Sequence, residues 1–419
     1  MEKKHIFIAI HYLEIGGAET ALIGLLDALY PEKVDVDLFL YDQRGEMMRY
    51  IPQWVNLLPP IPQYTMIERP IRELILKGFW NIAVGRLFAK LKSVIDYKKS
   101  RSIIENSSLI YYVEKYINPF LPKINPGVKY DLAISFLIPH RIVLNKVNAQ
   151  KKIAWIHTDY SRIWTNPLLH EKVWAGYDYI ASISDDVTKT FLQVFPSLSN
   201  KIVEMENILS AEFVRKRSEE FQVEFNENDN FPLNAKRSTL NVNYVNLLSV
   251  GRFCEAKNYD NVPDICKKIV SSFKFQDPNL NIRWYIIGFG VDEELIRRKI
   301  AEAGMQNHVI ILGKKSNPYP YIKACDIYVQ PSRYEGKSVT VREAQMLCKP
   351  VVVTNYPTAK SQIQDGIDGR IVPMDNEGCA EGLAEFILNT EMQEQVTEYL
   401  KTHDYGNEKV INKLYTLMD

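Results

Sequence analysis

Short apolar runs alternate along the chain with longer stretches of helical period. That alternation marks strand–helix–strand units and a parallel sheet buried on both faces. In the first half, the runs at 6–10, 36–40, 132–136, 153–156, 179–182 and 201–204 read as strands, with helices at 18–29 and 185–194. A second series begins at 245–250 and continues at 283–287, 309–312, 327–330 and 350–354, with helices at 292–303 and 339–347. The pattern predicts an α/β protein of two Rossmann-like, doubly wound domains, at 1–210 and 244–395. Such sheets bind ligands beyond the carboxyl ends of their strands, so the two sites are expected to face one interdomain cleft. Residues 211–243 are polar, with little apolar periodicity, and read as a linker or exposed loop. The helical stretch at 395–419 is a candidate to complete the first domain.

One segment fits neither sheet. Residues 69–101 carry nine Lys or Arg against two acids, Glu73 and Asp96, with Ile71, Leu74, Ile75, Phe79, Trp80, Ile82, Leu87, Phe88, Leu91 and Ile95 interleaved at roughly helical spacing. It reads as part of a helical insertion at about 65–125. A basic amphipathic helix suits an anionic membrane surface, and a helix packing its apolar face on the domain is the alternative.

The 419-residue length exceeds what one hydrophobic core usually supports, which agrees with two domains. Lys plus Arg and Asp plus Glu balance at 51 each, so no global field points to nucleic acid. The five cysteines form no CxxC pair and no closed disulfide framework, consistent with a cytoplasmic setting. The first apolar run ends at His11, too early for a signal peptide, and no run approaches the roughly 20 residues that span a bilayer.

The chemistry gathers after the strands. Gly16-Gly17-Ala18-Glu19 follows the first strand and opens a helix, whose amides suit a phosphate. Taken alone, it is equally a tight turn. Gly251-Arg252 and Lys257 follow a buried strand, and their two cations suit a leaving diphosphate. Gly288-Phe289-Gly290 either admits a nucleobase or ribose against the backbone or is a structural turn. In Glu335-Gly336-Lys337-Ser338-Val339-Thr340, Ser338 is placed to cap the next helix. That would leave the amides around Val339 and Thr340 for a phosphate. Glu343, one turn on, can accept from both ribose hydroxyls, and Glu335 lies toward the sugar end of such a donor.

In this order, Gly-Gly-Ala-Glu at 16–19, Gly-Arg-x4-Lys at 251–257, Gly-x-Gly at 288–290 and Glu-x7-Glu at 335–343 resemble the retaining glycosyltransferases of the GT-B fold, family 4. The similarity is strongest over about 245–375 and extends to the first 30 residues; 65–125 matches nothing in that pattern. The resemblance implies that Arg252 and Lys257 bind the donor diphosphate, joined by Ser338, Val339 and Gly17. It places Glu343 on the ribose, Gly288 in the donor site, and Glu335 and His157 beside the transferred sugar. It also implies metal-independent catalysis with no cofactor, because cations and helix amides take the place of a divalent ion. The family commonly has Phe-Gly where this chain has Lys337-Ser338; Lys337 is placed to touch the donor's sugar or a phosphate, which leaves the donor sugar open, and UDP is favoured over GDP. The basic, aromatic insertion, rather than the resemblance, suggests a glycan or lipid-linked acceptor in surface polysaccharide biosynthesis, at the inner face of the plasma membrane. A sugar-nucleotide epimerase, a phosphorylase or a non-catalytic sugar-nucleotide-binding protein are the alternatives. The GxGxxG fingerprint of a dinucleotide oxidoreductase is missing.

Overall fold

The computed structural model describes residues 3–102, 105–161, 163–225, 243–276 and 280–418. The chain divides into two compact units, Met1–Leu209 with Asn407–Asp419, and Ser210–Gly406. Each is an open parallel α/β sheet.

The strands of the first unit are β1 (Lys4–Ile10), β2 (Val34–Leu40), β3 (Asn56–Leu57), β4 (Glu105–Asn106), β5 (Tyr130–Ser135), β6 (Ala149–Ile156), β7 (Ile163–Trp164), β8 (Tyr179–Ser182) and β9 (Ile202–Glu204). Seven form one sheet in the order β3-β2-β1-β5-β6-β8-β9, and β4 pairs with β7 outside it. Ile6, Phe7, Ile8, Ala9 and Ile10 of β1 are all fully buried. A continuous apolar run is what a strand covered on both faces requires. The order reverses direction between β1 and β5, which places the loops after those strands at the switch point.

The second unit holds β10 (Asn243–Val250), β11 (Leu280–Ile287), β12 (Val309–Gly313), β13 (Ile327–Gln330), β14 (Val351–Thr354) and β15 (Arg370–Val372), ordered β12-β11-β10-β13-β14-β15. Its switch point lies between β10 and β13. A buried polar bridge ties these central strands together: the Trp284 indole donates to Ser249 Oγ at 2.9 Å, and that hydroxyl donates to the Val329 carbonyl at 2.6 Å. Each buried donor thus keeps a partner, as a dry sheet interior requires.

Two expectations from the sequence change. Residues 211–218 are not linker: Ala211–Ser218 is a helix of the second unit, capped by Ser210 Oγ accepting from the Phe213 amide, with Arg217 and Ser218 buried. Its polar sequence hid a helix whose charged side chains find partners in the tertiary structure. Residues 226–242 of the same stretch lie outside the described residues. The C-terminal segment is also two elements. Thr390–Thr402 is a helix of the second unit, whereas Ile411–Met418 is a helix of the first. The latter is pinned there by Asn407, which accepts from the Leu209 amide at 2.8 Å and donates to the Asn207 carbonyl at 3.0 Å. Tyr415 adds to this by accepting from the Tyr30 amide at 2.9 Å.

Candidate active site

The motifs of the second unit meet at its switch point. Arg252 and Lys257 lie on the loop after β10, and Glu335, Lys337 and Ser338 on the loop after β13, the neighbouring strand. Lys257 Nζ donates to Glu335 Oε1 at 2.6 Å, so the two loops are joined by an ion pair. The same Glu335 oxygen accepts from Ser332 Oγ at 2.5 Å and Gln330 Nε2 at 3.0 Å. Thr358 Oγ1 donates to the Glu335 carbonyl at 3.0 Å, holding the loop from the β14 side. The carboxylate is thereby fixed in place, with one oxygen fully engaged. Arg252 is exposed, and its guanidinium makes no hydrogen bond or ion pair among the described residues. A cation without a protein partner beside a fixed Lys–Glu pair is suited to an anionic ligand.

Ser338 occupies the N-cap position of the helix Val339–Met346 but does not cap it. Its hydroxyl lies 3.2 Å from Thr340 Oγ1, and its amide donates to Gln362 Oε1 at 2.8 Å. Gln362 also donates back to the Ser338 carbonyl at 3.0 Å. The Gln362 side chain thus pairs with the backbone in the manner of a strand and holds the helix entry. The helix still leaves its first-turn amides, at Val339 and Thr340, without intrahelical partners, and its positive end follows directly on the loop whose Glu335 is paired with Lys257.

Glu343 is 3% exposed and accepts from the Tyr319 hydroxyl at 2.7 Å. Burial raises its carboxyl to about 7, opposed by that hydrogen bond and by Arg217. Arg217 sits 5.0 Å over the Tyr319 ring and donates to the Ser316 carbonyl at 2.9 Å. Neither Tyr319 nor Arg217 was foreseen from the sequence: nothing in the run around Asn317-Pro318-Tyr319, or in the polar 211–243 stretch, marks them. They reach Glu343 only because the helices Ala211–Ser218 and Tyr319–Ala324 pack together and against Val339–Met346. Burial thus pushes the Glu343 carboxyl up to about 7, and the Tyr319 hydroxyl and Arg217 hold it from rising further.

Gly288 and Gly290 serve the backbone. A Cβ on Gly288 would stand 1.9 Å from the Gly251 carbonyl oxygen, and one on Gly290 2.3 Å from the Phe253 carbonyl oxygen. No side chain fits, because the turn after β11 lies directly against the loop carrying Arg252. Of the two readings offered by the motif, the turn accounts for both glycines.

In the first unit, Gly17 opens the helix Gly17–Ala28 after β1, and a Cβ there would meet nothing within 4 Å. The neighbouring N-cap is closed instead: a Cβ on Gly16 would stand 2.2 Å from a Glu19 carboxylate oxygen, so that side chain lies over the helix entry. His157 follows β6. Its ring lies 4.7 Å from Phe136 and stacks on Trp155 at 6.2 Å. Burial lowers its pKa to about 3, against a hydrogen bond with the Phe136 backbone, so the imidazole is neutral at physiological pH. Its Nε2 is shielded from solvent and has no hydrogen-bond partner among the described residues. Among those residues no three His, Cys, Asp or Glu side chains gather as a metal site, and no helix is long and apolar enough to cross a membrane.

With this geometry established, three kinds of similarity bear on it. Residues 230–403 match the family model described as glycosyl transferases group 1. An uncharacterized glycosyltransferase of Methanocaldococcus jannaschii is 24% identical over 319 residues, covering 68% of this chain and 74% of its own. A Campylobacter jejuni enzyme, N-acetylgalactosamine-N,N'-diacetylbacillosaminyl-diphospho-undecaprenol 4-alpha-N-acetylgalactosaminyltransferase, is 26% identical over 166 residues. That match covers 39% of this chain and 43% of the enzyme. Among solved structures, HepE of Anabaena in complex with UDP and glucose aligns with a TM-score of 0.64 and 14% identity. The alignment spans 99% of this chain and 98% of that one, and at that identity it speaks for the fold alone. The switch-point geometry, a group 1 match over most of the second unit and a shared two-domain fold together support a glycosyltransferase of the GT-B fold.

Proposed function

We propose that this chain is a retaining, metal-independent glycosyltransferase that moves a sugar from a nucleotide-diphosphate donor, with UDP favoured, to a glycan or lipid-linked acceptor in polysaccharide biosynthesis. One observation carries the reading. An unpartnered guanidinium (Arg252), a Lys257–Glu335 pair and the first turn of Val339–Met346 converge at the β10/β13 switch point, with Glu343 buried behind them. The UDP and glucose bound to the Anabaena neighbour favour a UDP-sugar. The diphospho-undecaprenol in the Campylobacter relative's name favours a lipid-linked acceptor.

In this reading, the acceptor oxygen bonds to the anomeric carbon as the bond to the diphosphate breaks, and the acceptor proton passes to a diphosphate oxygen on the same face. Configuration is retained. Negative charge grows on the diphosphate, where Arg252, Lys257 and the amides of Val339 and Thr340 oppose it without reorganising. Ionised Glu343 takes the ribose hydroxyls, Glu335 orients the sugar, and Lys337 stands beside it in the same loop. In the first unit, Gly17, whose own Cβ position is unobstructed, would approach a phosphate beside the Glu19 side chain, and the neutral His157 suits a sugar hydroxyl.

The test is thermal unfolding of the full chain with UDP, GDP, UDP-glucose, UDP-N-acetylglucosamine, UDP-galactose and GDP-mannose, each with and without magnesium. A ligand of the native state raises Tm by mass action. A metal-independent shift with one nucleotide, lost in Arg252→Ala, supports the reading. No shift with any of them overturns it. For the donor that binds, the anomeric proton of the product reports the stereochemistry, and an inverted product overturns retention.

A further inference from the structure

The helix Trp80–Ser100 packs the wrong way round for a helix of a globular domain. Its buried residues are Ile82, Ala83, Gly85, Ala89 and Ser93, mostly small. Its large apolar residues point outward: Trp80 is 60% exposed, Val84 61%, Leu87 52%, Phe88 57% and Leu91 58%. At 100° per residue these five, with Val94 and Ile95, share one stripe along the helix. The stripe continues into an apolar cleft of about 410 Å³ where Trp80, Val84 and Phe88 face Tyr116 and Phe120. A soluble surface seldom leaves so long a patch uncovered unless it serves an interface.

Charge selects the occupant. Lys90 borders the stripe on one side and Lys99 on the other, Lys98 lies at its C-terminal end, and all three are exposed. The helix has one acid, Asp96, and it is already held by Lys92 at 2.9 Å and by the Tyr112 hydroxyl at 2.5 Å. Arg86, the inward cation, donates to the Met66 carbonyl at 3.1 Å. An apolar stripe fenced by cations, with no acid left to neutralise them, fits a surface that is apolar beneath and anionic on top. A second copy of the chain would bring the same cations against one another.

We infer that the helix Trp80–Ser100 docks this protein on an anionic lipid bilayer, with Trp80, Leu87, Phe88 and Leu91 entering the interface and Lys90, Lys98 and Lys99 meeting the headgroups. The inference stands apart from the transferase reading, because it is measured without donor or acceptor.

The experiment is flotation of the full chain with vesicles of phosphatidylcholine alone or mixed with phosphatidylglycerol, alongside light scattering of the free protein. The wild type is expected to float with the anionic vesicles only, and less as salt is raised. Combining Lys90→Glu, Lys98→Glu and Lys99→Glu lowers partitioning by at least about fivefold per cation removed. Combining Trp80→Ser, Phe88→Ser and Leu91→Ser abolishes it. The charge variant alters only exposed side chains, so its thermal unfolding should match the wild type; the apolar variant also loses the Phe88–Tyr116 ring contact and is floated well below its own Tm, which separates lost docking from lost folding. No flotation of the wild type, or flotation unchanged in either variant, overturns the inference. So does a dimer that dissociates in the apolar variant while neither form floats, since the stripe would then be covered by a second copy.

Discussion

Replacing Tyr319 by Phe removes one hydroxyl from the second unit and leaves the ring, so it isolates the hydrogen bond to Glu343. Both residues are buried, at 1% and 3% exposure, and the bond is 2.7 Å long. Burial raises Glu343 from an ordinary 4.5 to about 7. Between those values the folded unit keeps a proton that the unfolded chain has released, so stability falls as pH rises through the window. The tyrosine opposes that loss because it donates to the ionised carboxylate. Without it, the upper edge of the window moves upward and the destabilisation deepens. At about pH 8.5 the bond is charge-assisted and its loss costs about 1.5–3 kcal/mol; at about pH 5.5 it joins neutral groups and costs about 0.5–1.5 kcal/mol. For a unit of this size, each kcal/mol lowers Tm by about 2–4 °C. The variant is therefore expected to melt about 3–12 °C below the wild type at the higher pH, and about 1–6 °C below at the lower. Paired thermal melts at the two pH values, with Glu343→Gln as a control that cannot ionise, decide the matter. Equal Tm losses at both pH values would refute the reasoning, because Glu343 would then not change charge between them.

Four further outcomes follow from the same geometry. Arg252→Ala should lower kcat/KM by about 10²–10³ while leaving Tm unchanged, since its guanidinium holds nothing in the fold; steady-state kinetics with unfolding curves separate the two effects. Lys257→Met should lower both, because it leaves the Glu335 carboxylate without its cation. Gly288→Ala should destabilise by about 1–3 kcal/mol, as its Cβ would meet the Gly251 carbonyl at 1.9 Å. His157, lowered to about 3 by burial, should contribute no ionisation to the pH–rate profile above pH 5; His157→Gln would lower the rate without changing the profile's shape, and a shifted acid limb would contradict the neutral imidazole.

Much of the fold is legible in the sequence because a strand buried on both faces must be apolar throughout. The runs at 6–10, 245–250 and 327–330 could hardly be anything else, and each reappears as β1, β10 or β13. The candidate site is legible for a related reason. Parallel sheets place their ligands after the strand ends, so Arg252, Lys257 and Glu335 were conspicuous as polar residues directly following apolar runs. What local pattern does not reach is who meets whom. The Lys257–Glu335 pair, the Gln362 clasp on Ser338 and the Tyr319 hydroxyl on Glu343 join residues 78, 24 and 24 positions apart. No periodicity encodes a contact that depends on how two loops or helices are brought together. Helix Ala211–Ser218 escaped notice because its buried face mixes Ala211 and Val214 with Arg217 and Ser218, and the Ser316 carbonyl that takes the Arg217 guanidinium lies 99 positions away. The helix Trp80–Ser100 shows the same limit from the other side. Its sequence showed an amphipathic, basic helix, but two faces were available to the domain, and only packing decided that the small residues turn inward and the large apolar ones outward.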